Sequence, residues 1–218
     1  MRRFVRGPAP SWWVVYRVMW NEKCLECDDL PGAPKLPRAS KLLRERKHEQ
    51  RSLADWFHDL VRPDAPHVCA YCDATLREQS PPTIDHFVPQ SACQVHAFAW
   101  ANLYPACVTC NSKHKGARYE PGAARPDLDP VDEWFDIDPE TGRLDIRAEL
   151  LSNARAAEKV RLAISLFGLN ADGRPQGGKR VMDAVMRARL RGDVEHLDAL
   201  LQGDHYRFVA DAAKRAPL

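Results

Sequence analysis

Two pairs of cysteines carry the first readable chemistry of this 218-residue chain. Cys69-Ala-Tyr-Cys72 and Cys107-Val-Thr-Cys110 are CxxC pairs with residues 73–106 between them. A short turn brings the two thiolates of such a pair to tetrahedral spacing around zinc, so two pairs make a closed site of four thiolates. A closed site leaves no open coordination position and is expected to be structural. Its metal can contribute on the order of 10 kcal/mol to folding. A thioredoxin-like redox pair is the alternative, but it needs a pair opening a helix after a strand and leaves the second pair unexplained. A third CxxC, Cys24 and Cys27, and a C-x-x-H, Cys93 and His96, would together complete a second site of three cysteines and one histidine. Against it stands the plainer reading of Cys93 as a small buried residue and His96 as a surface one.

Between the knuckles lies Thr83-Ile84-Asp85-His86-Phe87-Val88-Pro89-Gln90-Ser91. Trp100-Ala101-Asn102-Leu103 follows, and the second knuckle runs on as Cys110-Asn111-Ser112-Lys113-His114-Lys115-Gly116. A lone Asp-His occurs by chance in many proteins. Asp-His-x-x-Pro, Asn-Leu and Cys-Asn-x-x-x-Lys in this order, bracketed by two CxxC pairs, form a specific combination. Over Cys69 to Gly116 the sequence resembles the HNH endonuclease family, and the stretch Asp85 to Ser91 is similar to the HNH domain of RNA-guided DNA nucleases. The resemblance implies a ββα-metal core, a two-stranded hairpin followed by a helix around one catalytic divalent ion.

The residues suit that chemistry. Phosphodiester hydrolysis needs an activated water, neutralisation of charge at phosphorus and stabilisation of the departing oxygen. With an ordinary pKa of about 6.5, His86 is largely unprotonated near neutral pH and can accept a proton from water. Asp85 is a hard oxygen ligand for Mg²⁺ or Mn²⁺, and Asn111 offers a neutral oxygen beside it. By resemblance His86 takes the role of general base, Asp85 and Asn111 hold the ion, and Asn102 orients the loop carrying the histidine. The last of these positions is often histidine in the family; asparagine there is similar to the RNA-guided nucleases. A helix beginning near Cys110 would place His114 and Lys115 at i+3 and i+4 from Asn111, where either could contact a phosphate or lie on a solvated face.

These residues need elements to position them. Proline and glycine cluster at residues 31–37, 63–66 and 121–130 and divide the chain into a mainly helical segment over 1–62, the knuckle region over 63–119 and a helical segment over 120–218. The expected fold class is α+β, a small zinc-stapled core with helical flanks. In the first segment Ser40 reads as an N-cap, with Leu42, Leu43, Leu53, Trp56, Phe57 and Leu60 following. Arg38, Lys41, Arg44, Arg46, Lys47 and Arg51 make it locally basic, either as a solvated face or as a phosphate-contacting surface. In the last segment Leu150, Ala154, Ala157, Val160, Ile164 and Phe167 recur at helical spacing up to Gly168, and Val181, Met182, Val185, Met186 and Leu190 form a second pattern. Leu197, Leu200, Leu201 and the stretch from Tyr206 to Val209 continue it.

Composition narrows the class. Lys plus Arg total 32 against 30 Asp plus Glu, a net charge of +2 that excludes a histone-like coat but not a local basic groove. No apolar run reaches membrane-spanning length. Arg2, Arg3, Arg6 and Arg17 spoil a signal-peptide reading, so the chain reads as cytoplasmic, where seven cysteines are better explained as ligands or thiols than as disulfides.

The flanks narrow the resemblance. Met1-Arg2-Arg3-Phe4, the Glu49-Gln50 pair, Asp129-Pro130 with its acidic and aromatic continuation, and a helix running into Leu169-Asn170 are similar to the PtuB-like HNH nucleases of Septu and retron-associated antiphage systems. That resemblance implies DNA as substrate and an SMC-like, PtuA-like ATPase as partner. A stand-alone restriction or homing-type nuclease, an inert zinc nucleic-acid-binding module and a protein adaptor are the competing readings. An inert module would not need Asp85, His86 and Asn111 together.

Overall fold

A computed structural model describes residues 1–28, 39–64, 67–77, 80–196 and 199; at 23–28 and 40 the description covers the backbone alone. Helix α1 (Ser11–Asp28) starts as soon as Pro8 and Pro10 are past and contains neither proline nor glycine. Trp13 and Trp20, two turns apart, share its buried face and are 1% and 2% exposed. Next come α2 (Ala39–Glu45) and α3 (Leu53–Leu60). The expected cap at Ser40 is corrected here, because Ser40 lies inside α2. Ser52 does cap a helix: its side chain accepts from the Asp55 amide at 3.1 Å at the start of α3. Between α2 and α3 the chain turns back in a small antiparallel hairpin, β1 (Lys47–His48) with β2 (Arg51–Ser52). Glu49 and Gln50 form its turn with φ of 48° and 66°, the left-handed pair that matches the twist of two strands.

The central hairpin is β3 (Pro82–His86) against β4 (Leu103–Cys107), antiparallel, with Asp85 opposite Tyr104 and His86 opposite Leu103. It has a core on either side. Ile84 and Leu103 pack with Trp13, Trp20, Leu43, Phe57, Phe98 and Trp100. Tyr104, Phe87 and Ala106 pack with the cysteine knuckles, Met1, Phe4 and the carboxy-terminal helices. The alternation of side chains along a strand thus joins the first segment of the chain to its last.

The remainder is α4 (Val131–Trp134), the hairpin β5 (Phe135–Ile137) with β6 (Leu144–Ile146), α5 (Ala154–Phe167) and α6 (Arg174–Arg191). These strands add sheet to a segment expected to be helical, and the overall class is α+β. Leu190 is corrected from its place in an apolar core stripe, being 72% exposed. Leu197, Leu200, Leu201 and 206–209 lie outside the described residues. No described helix is long and apolar enough to cross a membrane.

Helix α5 begins at Asn153, whose side chain accepts from the Ala156 amide at 3.1 Å, and ends at Gly168 with φ 59° and ψ 40°. A Cβ at 168 would lie 2.3 Å from Cγ of His114. Both the left-handed backbone and this contact demand glycine. Gly168→Ala is expected to cost on the order of 1–3 kcal/mol, read as a lowered urea midpoint at unchanged slope.

Candidate active site

The four cysteines converge. The sulfurs of Cys69, Cys72, Cys107 and Cys110 all lie within 4.8 Å of one another, and Cys72 Sγ is 3.7 Å from Cys107 Sγ. Four sulfurs at about 2.3 Å from a tetrahedral ion would be roughly 3.8 Å apart, so the cluster has the composition and spacing of a structural zinc site. Each knuckle is shaped by backbone bonds. The Asp73 amide donates to the Cys69 carbonyl at 3.1 Å, and the Cys110 amide donates to Cys107 Sγ at 3.3 Å. Burial pushes the Cys69 and Cys110 thiols up, while hydrogen bonds from the other three sulfurs hold Cys107 well below the usual thiol range. Arg174 answers the concentrated negative charge, with Nη2 at 3.3 Å from Cys110 Sγ. Burial opposes its charge, but Cys110 and Cys72 outweigh burial and hold its pKa above the ordinary arginine value.

The second knuckle opens a helical turn, Thr109–Lys115, wound as a π-helix and closed by Gly116. The expected helix is present, wider than an α-helix, and wide turns of this kind recur at functional sites. The extra residue per turn moves its side chains from where α-helical spacing put them. Lys115 is corrected from phosphate contact to a buried residue, 1% exposed, with Nζ 3.0 Å from Asp85 Oδ1 and 2.7 Å from the His86 carbonyl. His114 is likewise corrected. Its Nε2 meets Asp172 Oδ2 at 2.6 Å and its ring lies against Gly168, so it docks the carboxy-terminal segment onto the turn.

Asp85 is 2% exposed and held from both sides. Its Oδ2 accepts from the Tyr71 hydroxyl at 2.6 Å, and its Oδ1 faces Lys115. Burial, then the Asp85 charge, push the Tyr71 hydroxyl well above the tyrosine range, so it stays a donor. Tyr71 is stacked on Phe167, the last residue of α5, with ring centroids 3.6 Å apart. The sequence reading passed over Tyr71; a tyrosine between the two cysteines of a knuckle was the signal. Removing the ammonium would leave a buried carboxylate without its counter-charge. Lys115→Met is expected to destabilise the fold by about 3–5 kcal/mol in denaturant titration.

His86, half-buried at the end of β3, has Nε2 at 2.9 Å from the Ala97 carbonyl. A carbonyl only accepts, so Nε2 carries the proton and Nδ1 is left with a free lone pair. Burial lowers its pKa, Asp85 and the Ala97 bond oppose that, and Lys115 adds to it, for a net shift below the usual histidine value. Asn102 ties the flanking loop together. Its Oδ1 accepts from the Val88 amide at 2.7 Å, and its Nδ2 donates to the carbonyls of Val88 and His96, each at 3.0 Å. The Asn111 Nδ2 donates to Thr83 Oγ1 at 3.0 Å, leaving its oxygen to act as a ligand.

A cavity of about 220 Å³ opens beside Asn111, between α2, α3 and β3, and is lined by Arg44, His58, Thr83, Ile84, Asn111 and Ser112. Arg44 is exposed at its edge. His58 is 3% exposed, and its Nδ1 has no partner among the described residues. Burial, with His67 and Arg77, pushes its pKa down to about 4. The folded protein therefore refuses a proton that the unfolded chain accepts below about pH 6.5. The stability this neutrality confers is complete above about pH 6.5 and is lost as pH falls toward 4, on the order of 3 kcal/mol in all. Thermal melting from pH 7 down to pH 4 should follow that slope, and His58→Gln should flatten it.

Of the second set of ligands, Cys93 is half-buried and His96 exposed on the turn Gln94–His96, while the side chains of Cys24 and Cys27 lie outside the described ones. An Asp-His pair on one strand of a hairpin, an asparagine on the following helical turn and four cysteines clamping both describe a phosphodiester-cleaving class of enzyme. Residues 69–116 match the family model of the HNH endonucleases. The chain therefore carries an HNH endonuclease domain, a nuclease whose substrate is nucleic acid. No curated protein matches the chain.

Proposed function

We propose that the protein is a divalent-metal-dependent endonuclease acting on DNA, with His86 as its general base. The observation that carries the reading is the His86–Ala97 bond, which protonates Nε2 and leaves Nδ1 basic beside the buried Asp85. Asp85 and Asn111 would hold one Mg²⁺ or Mn²⁺. The donors fit: each Asp85 oxygen makes a single contact and keeps further lone pairs, and the Asn111 amide oxygen accepts no bond among the described residues. When bound, such an ion supplies charge neutralisation at the phosphoryl oxygens and at the leaving oxygen. The chain's own residues do the rest. His86 Nδ1 takes the proton of the attacking water, Ala97 and Asn102 hold the imidazole and its loop, and Lys115 and Tyr71 fix the carboxylate. Arg44, at the mouth of the cavity beside Asn111, meets the phosphate backbone. The four knuckle cysteines hold Zn²⁺.

The resemblance of the flanks to PtuB-like nucleases supports a role as the nuclease of an antiphage system, held by an SMC-like ATPase until infection. Full, unregulated cleavage by the isolated protein, together with no ATPase captured from its host, would remove that role. The nuclease reading is tested by incubating supercoiled plasmid with the purified chain and Mg²⁺ or Mn²⁺, with and without EDTA. Cutting abolished by EDTA and by His86→Ala supports it. Metal-dependent cutting that survives His86→Ala would sink the assignment of the base.

A further inference from the structure

The cavity beside Asn111 has a volume of about 220 Å³, and the nuclease reading gives work only to the arginine at its mouth. Its lining is mixed. Leu43, Ala54, Pro82 and Ile84 give it apolar sides. Polar groups border the same space. The Ser112 hydroxyl makes no bond among the described residues, and the Asn111 amide oxygen accepts none there. Thr83 is already engaged: its hydroxyl donates to the Ala106 carbonyl at 2.7 Å and accepts from Asn111 at 3.0 Å. His58 stands four residues after Ala54 on α3, on the same side of the helix, and both line the cavity. His58 is 3% exposed, and its Nδ1 is a buried nitrogen without a partner among the described residues. Native folds rarely leave such an atom unmet.

The lining decides what chemistry the cavity suits. A phosphate or carboxylate taken inside would need several donors and positive charge. The interior offers apolar sides and a histidine that burial keeps neutral. A neutral imidazole carries one donor and one acceptor nitrogen, and the edges of nucleobases carry the same two kinds of group. Size agrees. An apolar cavity of about 150 Å³ holds benzene. The 220 Å³ here leaves room for one nucleobase. Position agrees as well. A base is tethered to its own phosphate through one sugar, so a phosphate held between Asn111 and Arg44 carries its base to the cavity mouth.

We propose that this cavity takes one unstacked nucleobase of the DNA strand, from the nucleotide next to the phosphate being cut, with apolar sides for its ring and Ser112 and His58 for its edge. The identity of the strand rests on the nuclease reading; the pocket adds a hold on the base that sets the backbone in register over Asn111. Unstacking a base costs least where the DNA is single-stranded or mismatched, so such substrates should be preferred.

Binding tests this apart from cleavage. The probe is a short DNA strand carrying one 2-aminopurine base and abasic sugars elsewhere, beside a wholly abasic strand of the same length. Each is titrated with the full chain bearing His86→Ala, with Ca²⁺ in place of Mg²⁺. The base should tighten binding about tenfold, and its fluorescence should become shielded from acrylamide. Ala54→Phe, which fills the cavity, should abolish both effects and leave the affinity for the wholly abasic strand unchanged. Because a larger side chain at 54 can also strain α3, Ser112→Ala at an exposed position is the second arm and should reduce the tightening severalfold. Equal affinity for the two strands overturns the proposal, as does base-dependent binding that survives both Ala54→Phe and Ser112→Ala. Plasmid cutting by the wild type alongside equal affinities removes the base pocket and keeps the nuclease reading. Cavity-dependent binding of the base without plasmid cutting keeps the pocket and counts against the nuclease reading alone.

Discussion

Replacing His86 with alanine should slow plasmid cleavage by roughly 10²–10⁴-fold while leaving the fold and substrate binding intact. The imidazole is half-buried and hydrogen-bonded through Nε2 to Ala97, so its deletion removes one loop contact and opens little of the core. The loss should therefore fall on kcat and not on KM, since Arg44 and the cavity beside Asn111 are untouched. The pH profile carries the same information. A general base works only when deprotonated, and burial holds His86 below the ordinary histidine value. Cleavage should rise along an acid limb whose midpoint lies below about 6.5 and stay flat through neutrality. A midpoint above that, or a profile without an acid limb, would mean that another group takes the proton.

The largest stability effect should come from the knuckles. Cys107→Ser, or stripping the protein with a strong chelator, should abolish cooperative unfolding of the core. A four-thiolate zinc contributes on the order of 10 kcal/mol, comparable to the whole stability of an ordinary domain. The position explains why the loss spreads. Cys107 ends β4, Cys110 opens the π-helical turn that carries Asn111 and Lys115, and Cys69 and Cys72 bracket Tyr71. Both side chains that hold the Asp85 carboxylate, Tyr71 and Lys115, hang from one of the two knuckles. The measurement is circular dichroism and tryptophan emission during chelator titration, with zinc added back. Retention of a sharp unfolding transition in the metal-free protein would contradict the structural role of the cluster.

Much of the arrangement could be read from residue order. Spacing alone brought the four cysteines into one cluster, and the succession of Asp85-His86, Asn102 and Asn111 is specific enough to mark an HNH segment. The same reading misplaced Lys115 and His114, because it assumed 3.6 residues per turn where the chain winds a π-helix. Tyr71 escapes such a pattern because, although it sits next to Cys72 inside a knuckle, nothing in its spacing points its hydroxyl at Asp85. Ser40 reads as a cap because serine before an apolar run is a common start; the hairpin turned by Glu49 and Gln50 with positive φ makes Ser52 the cap instead. That turn has no glycine to announce it. The pairing of His114 with Asp172 and the stack of Tyr71 on Phe167 join residues 58 and 96 positions apart, beyond the range of any local pattern.

The stack of Phe167 on Tyr71 has a consequence for how this nuclease can be borrowed or inherited. A segment excised at the borders of its motif would keep all four cysteines, both members of the Asp-His pair and both asparagines. It would lack the ring that seats Tyr71, the arginine that balances the sulfur charge and the aspartate that anchors His114. The catalytic unit is thus larger than its signature. Recombination that moved the signature alone would transplant the proposed ligands without the contacts that seat them, so the carboxy-terminal helices are expected to travel with the motif.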